Sequence, residues 1–411
     1  MLEFKKTTLN NGLNVITYRK TNSNIVAVNV VYGVGSKHES ENMTGIAHLL
    51  EHLMFGGSEN VKSYDKAIQT AGGINNAYTT PDITSYYSIL PKQNLETSLW
   101  TESDRMLSPN LDKESIKIQK KVVIEEFKER YLNKPYGEIW PTICKTAYQA
   151  YPYKWPTIGK EIEHIKATKQ KHIKGFFNDF YTPNNATVII AGDINHEKTL
   201  KLVDKWFGSI ANKNVTNKVL PKEPAQREQR LITLTGEVPF DALYKCYHIP
   251  PIKDIKEHYT AHILTNILAG NKSSLLYKEF VMDKQYMNNI HCYTIGTHDY
   301  DLLIIEGKVN PAHKIVDINT KITQTIDSIE ITQKDIEKAK NQILVYMATE
   351  VVDVSNTLHL LANAALSNTL DYVNKAEEII LSINKKDVDE FLEKFLNIQN
   401  CSTILYEKAA D

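Results

Sequence analysis

The sequence has little cysteine, no long apolar run and no excess of either charge. Its four cysteines, Cys144, Cys246, Cys292 and Cys401, lie far apart and form no C-x-x-C pair. That pattern argues against a disulfide framework and for buried thiols in a reducing compartment. No stretch approaches the roughly 20 apolar residues of a membrane span, so no membrane span is expected. The opening "MLEFKKTTLNNGLNVITYRK" lacks the apolar core of a signal peptide. The expected location is therefore cytoplasmic, or periplasmic if a leader has been trimmed. With 48 basic and 49 acidic residues the formal charge is −1, which gives no reason to expect nucleic acid or an anionic membrane as partner.

What is present is ordinary globular composition, 42% hydrophobic and 24% charged, in a chain of 411 residues. That length exceeds one ordinary core, and two or more domains are expected. Alternating apolar residues predict strands near 13–18, 25–34, 84–90 and 186–192. Helical periodicity fits roughly 43–55, 61–72, 93–107, 112–131 and 168–180. The text "GSIANKNVTNKVLPKEPAQREQR" then turns polar, carries two prolines and loses its periodicity, as a linker does.

Beyond the linker the pattern begins again. "IAHLLEHLMFGG", from Ile46, can be laid over "TAHILTNILAGN", from Thr260, so that Ala47, His48, Leu50 and Gly56 recur as Ala261, His262, Leu264 and Gly270. Asn75-Asn76 is echoed by Asn288-Asn289. The expected fold is α+β, two homologous α/β halves, each a mostly antiparallel sheet packed against helices. The expected division is a first domain at 1–212, a linker at 213–229 and a second domain at 230–411. Thr265 and Asn266 replace Glu51 and His52 in the second copy, so only the first half can hold the chemistry. His262 reads as a core remnant of the duplication, and His298 as part of a polar turn.

The chemistry centres on "TGIAHLLEHLMFGGSEN", Thr44 to Asn60. Residues four apart share a helix face, so His48 and His52 can aim both imidazoles at one point, with Glu51 beside them. Zinc accepts imidazole nitrogen and carboxylate oxygen, and a catalytic zinc keeps one position for water. The two histidines would bind it and Glu51 would act as general base. A third ligand is needed, and the helix "KIQKKVVIEEFKERY" offers Glu125, Glu126 and Glu129. Ile118, Val122 and Phe127 suggest its buried face, but periodicity does not separate the adjacent Glu125 and Glu126.

H-x-x-E-H is the inverted zincin motif. With "LNNGLNVITY", "VNVVYGVGSKHE", "GGINNAYTTPDITSYY", "ESDRM", "VVIEEF" and "FYTPNNATVIIAGDI", the first half resembles the pitrilysin/insulinase family of zinc metallopeptidases, and the second half resembles it more weakly. The resemblance implies Zn2+ as cofactor and makes Glu126, which closes Val122-Val123-Ile124-Glu125-Glu126, its third ligand beside His48 and His52. It implies Glu51 as the catalytic base of a metalloendopeptidase acting on peptides or unfolded segments. Substrate would add as a strand near Asn76 and Ala77. Relatives often carry a glutamate seven positions before the third ligand, where this chain has Gln119. They often carry an arginine-tyrosine pair where it has Leu275 and Asn288. Either a homologous partner chain supplies that grip, as a heterodimer or a homodimer, or this chain holds peptide differently. The alternative the resemblance leaves is a non-catalytic scaffold or assembly subunit.

Overall fold

The computed structural model of the chain describes residues 2–215 and 218–410. The chain forms two compact units, and neither is continuous in sequence. The first gathers residues 1–128, 155–220 and 349–374; the second gathers 129–154, 221–348 and 375–411. The expected division at 1–212, 213–229 and 230–411 thus differs from the observed packing. An apolar helix finds its core by surface complementarity rather than by its place in the chain. Helix Val354–Leu366 shows this: it sends Val354, Leu358 and Leu361 against Ile16, Val31 and Ile189 of the first sheet. Each such buried aliphatic side chain contributes about 1.5–3 kcal/mol.

The first unit is built on six strands: β1 (Phe4–Thr8), β2 (Asn14–Arg19), β3 (Ile25–Tyr32), β4 (Ile74–Thr79), β5 (Thr84–Pro91) and β6 (Ala186–Gly192). Their order is β1-β2-β6-β3-β5-β4. Only β2 and β6 run parallel; the other neighbours are antiparallel. The central β3 and β6 are apolar on both faces and almost wholly buried, because helices cover both sides. The edge strand β4, "INNAYT", is half-exposed. Helices expected near 43–55, 61–72, 93–107 and 168–180 run over Ile46–Leu53, Tyr64–Thr70, Leu95–Leu107 and Gln170–Phe180. The expected 112–131 helix is α-helical over Lys113–Phe127 and widens into a π-turn over Lys128–Leu132.

The second unit repeats the plan with β7 (Arg230–Gly236), β8 (Ala242–Ile249), β9 (Met287–Thr294), β10 (Asp301–Val309) and β11 (Cys401–Lys408). Their order is β7-β11-β8-β10-β9, again with one parallel pair, β7 and β11. Matching β2, β6, β3, β5 and β4 to β7, β11, β8, β10 and β9 reproduces both order and direction. Helix Ile255–Leu268 follows β8 as Ile46–Leu53 follows β3. It buries Ile263, Leu264 and Ile267 in a core shared with Leu303, Ile305 and Ile318. The fold is the expected pair of α+β halves.

Up to β7, the polar stretch 208–229 has no helix or strand among its described residues, yet it is fastened. Glu223 accepts from the backbone N–H groups of Gln149, Ala150 and Tyr151 at 2.7–2.9 Å. Thr216 and Asn217 of that stretch lie outside the described residues. Among the described residues no helix is long and apolar enough to cross a membrane.

Candidate metal centre

Helix Ile46–Leu53 begins where Gly45 turns the chain at φ +86°. A Cβ there would lie 2.5 Å from the carbonyl oxygen of Ile158, so only glycine fits. The first turn leaves N–H groups without helical partners. Buried Glu39 takes two of them, accepting from Gly45 at 2.9 Å and Ala47 at 2.8 Å. Burial pushes its carboxyl up to about 8, although those donors and Trp155 pull the other way. Glu39 therefore fixes the start of the helix that carries the histidines, a role the sequence reading missed.

From that helix His48 and His52 project with ring centroids 4.7 Å apart. Glu126, from helix Lys113–Phe127, brings Oε2 to 3.7 Å from His48 Nε2 and 3.3 Å from His52 Nε2. All three donor atoms lie within 4.8 Å of one another, the one such three-ligand group among the described residues. Ligands at about 2.0–2.1 Å around a tetrahedral zinc stand roughly 3.3 Å apart. The two imidazole–carboxylate separations lie close to that value, and the donor set suits the ion.

The helix turns the adjacent glutamates to different sides. Its buried face is Ile116, Val123 and Phe127; Ile118 and Val122, expected inside, are 51% and 45% exposed. Glu126 follows Val123 by three positions and so shares its side. Glu125 points to solvent and pairs with Lys128 at 2.7 Å. Glu129 lies beyond the α-helical segment, in the π-turn, and is exposed. Gln119 stands two turns before Glu126 on the same side, close enough to His52 to help raise its pKa. Burial pulls the His52 imidazole down, but Glu126, Glu51 and Gln119 outweigh it and leave its pKa raised. The glutamine in place of the relatives' glutamate thus stands beside His52.

Glu51 is buried beside the two histidines. Thr79 Oγ1 donates to its Oε2 at 2.5 Å, which ties Glu51 to the end of β4. Thr79 was not singled out from the sequence, although it alternates with Asn75 and Ala77 on one strand face. Asn76 and Tyr78 take the opposite face, where Tyr78 meets the His359 ring at 5.7 Å. Asn76 is exposed, and its Oδ1 accepts from the Ala77 N–H at 2.8 Å. The other edge of β4 pairs with β5, so one edge of the strand is open beside Glu51. Leu275 starts a short helix packed on the second core, and Asn288 is exposed on β9.

A preformed two-histidine, one-carboxylate centre with a neighbouring buried glutamate, on a duplicated α+β scaffold, defines the class as metallopeptidase-like. Residues 14–161 match the family described as "Insulinase (Peptidase family M16)", and residues 168–343 match "Peptidase M16 inactive domain". The zinc protease PqqE of Helicobacter pylori is 29% identical over 408 residues, covering 97% of this chain and 91% of that protein. The crystal structure of a protease from Helicobacter pylori superposes with a TM-score of 0.92 at 28% identity, covering 99% of this chain and 100% of that one. The mitochondrial-processing peptidase subunit beta of Caenorhabditis elegans is 26% identical over 268 residues, covering 64% of this chain and 57% of that protein. The chain belongs to the pitrilysin/insulinase family of metallopeptidases.

Proposed function

We propose that the chain is a zinc metalloendopeptidase that hydrolyses peptides or unfolded segments laid along β4. The observation that carries this reading is the convergence of His48, His52 and Glu126 beside Glu51. His48, His52 and Glu126 would hold zinc, which when bound supplies Lewis-acid polarisation of a carbonyl and acidifies water. Glu51 takes a proton from the attacking water on its carboxylate and returns it to the departing amine. Thr79 donates to Glu51 Oε2 and so holds the carboxylate in place for that transfer. The open edge of β4 offers backbone groups to an extended peptide, which suits substrates without a fixed side-chain sequence. Asn76 and Ala77 form that contact: the Ala77 N–H now satisfied by Asn76 Oδ1 is handed to the peptide carbonyl.

Leu275 and Asn288 supply neither a guanidinium nor a phenol. We assign that part of substrate binding to a second, homologous chain, as the subunit naming of the mitochondrial relative also suggests. Four buried free thiols support a reducing compartment, the cytoplasm. The test is Glu51→Gln. The variant should retain zinc and fold but lose about 10²–10⁴ in kcat on a fluorogenic peptide. Wild-type rates in a zinc-loaded Glu51→Gln protein would overturn the assignment, and a zinc-loaded wild-type protein with its partner that cleaves no peptide would favour the scaffold alternative.

A further inference from the structure

The second unit carries a histidine pair of its own. His258 and His262 lie four residues apart on helix Ile255–Leu268, the counterpart of the helix that presents His48 and His52. Their ring centroids are 4.5 Å apart with planes at 78°; the first pair stands at 4.7 Å and 74°. Both rings are half-buried, whereas His262 alone was expected, as a core remnant. The pair is one turn earlier than a strict copy would put it, because Asn266 occupies the place of His52.

Several other histidines spend a ring nitrogen on the protein. His38, His164, His196 and His248 each engage a protein group through a ring nitrogen. Among the described residues neither His258 nor His262 does, and their nitrogens reach solvent. We propose that His258 and His262 form a second metal site, a two-imidazole chelate for copper(II), nickel(II) or zinc(II), with its remaining positions open to water or an external donor. Imidazole nitrogen suits these borderline ions and not magnesium or calcium. Burial lowers both imidazoles, His258 to about 3 with help from His262, so at neutral pH both rings are in the neutral form that ligates. The site lacks a carboxylate: His48, His52 and Glu126 form the one three-ligand group among the described residues. It is therefore weaker than the first, and it fills only after the first is occupied.

The test uses the untagged full-length chain carrying His48→Ala and His52→Ala, titrated with nickel(II) alone by calorimetry. One equivalent should bind. Adding His258→Gln or His262→Gln should weaken binding by about 10²-fold, since each ligand raises the effective concentration of the other. His359→Gln, a histidine elsewhere, should change nothing. Nickel that fails to bind, or that binds equally after both substitutions, would overturn the site. A second measurement leaves the first site intact: the wild-type chain equilibrated with excess zinc should hold two ions, and His262→Gln one. A single zinc ion in both proteins overturns the site as well.

Discussion

Glu126 and Glu125 are chemically identical neighbours with opposite fates. Glu126 reaches both histidines, and Glu125 reaches only Lys128 and solvent. Glu126→Gln should therefore weaken zinc retention by more than about 10²-fold, since it removes a ligand rather than its support. Glu125→Gln should leave zinc content unchanged when both proteins are dialysed against the same chelator series. Gln119 lies between these extremes. It lies beside His52, so Gln119→Ala should cost about 10–100-fold in zinc affinity, the usual effect of losing an outer partner. Competition against a chromophoric chelator measures it, and Gln119→Glu should restore affinity to the wild-type level or beyond.

At the scale of elements, the site depends on how two helices are held. Helix Ile46–Leu53 has eight residues and no side-chain cap at its own N-cap, and a helix that short is marginal without tertiary support. Glu39 provides it from outside the helix. Its folded pKa, about 8, lies above the ordinary value of 4.5. The stability it contributes is thus fully present below about 4.5 and lost as pH rises through about 8. Urea unfolding of the metal-free chain at pH 5 and pH 8 should show this fall, roughly 1–4 kcal/mol. The non-titrating Glu39→Gln variant should lack that part of the pH dependence, whatever its absolute stability. The second helix, Lys113–Phe127, ends in a π-turn directly after Glu126 and Phe127. Such turns change the side-chain phase of a helix, and here the change falls just beyond Glu126, which keeps its α-helical direction toward the histidines.

At the scale of the molecule, duplication leaves one copy with the two-histidine, one-carboxylate group and one copy without it among the described residues. The two sheets share strand order and the position of their single parallel pair, but Thr265 and Asn266 stand where Glu51 and His52 would be. A peptide added to β4 gains only about 0.5–1.5 kcal/mol per backbone hydrogen bond. Neither Leu275 nor Asn288 can replace a charged, bidentate guanidinium. The chain should therefore act as half of a dimeric enclosure, with a homologous zinc-free chain as partner or, failing that, a second copy of itself. Light scattering of the purified chain, alone and mixed with that partner, should show the dimer, and peptidase activity should rise with it. Full activity from a strictly monomeric chain would contradict this.

The sequence by itself determined what depends on local periodicity: the helix that sets His48, Glu51 and His52 on one face, the central strands β3 and β6, and the repeat that makes two halves. It also carried enough motif to imply Glu126. Only the tertiary structure decided what depends on elements meeting across long sequence distances. It turned Glu126 inward and Glu125 outward, exposed Ile118 and Val122, and brought Gln119 to His52 and Thr79 to Glu51. It also drew residues 349–374 back to the first unit. Periodicity specifies that a helix has an apolar side, but the surface that side will cover is chosen by the partner that fits it. A ligand set shared between two helices exists only once both are packed.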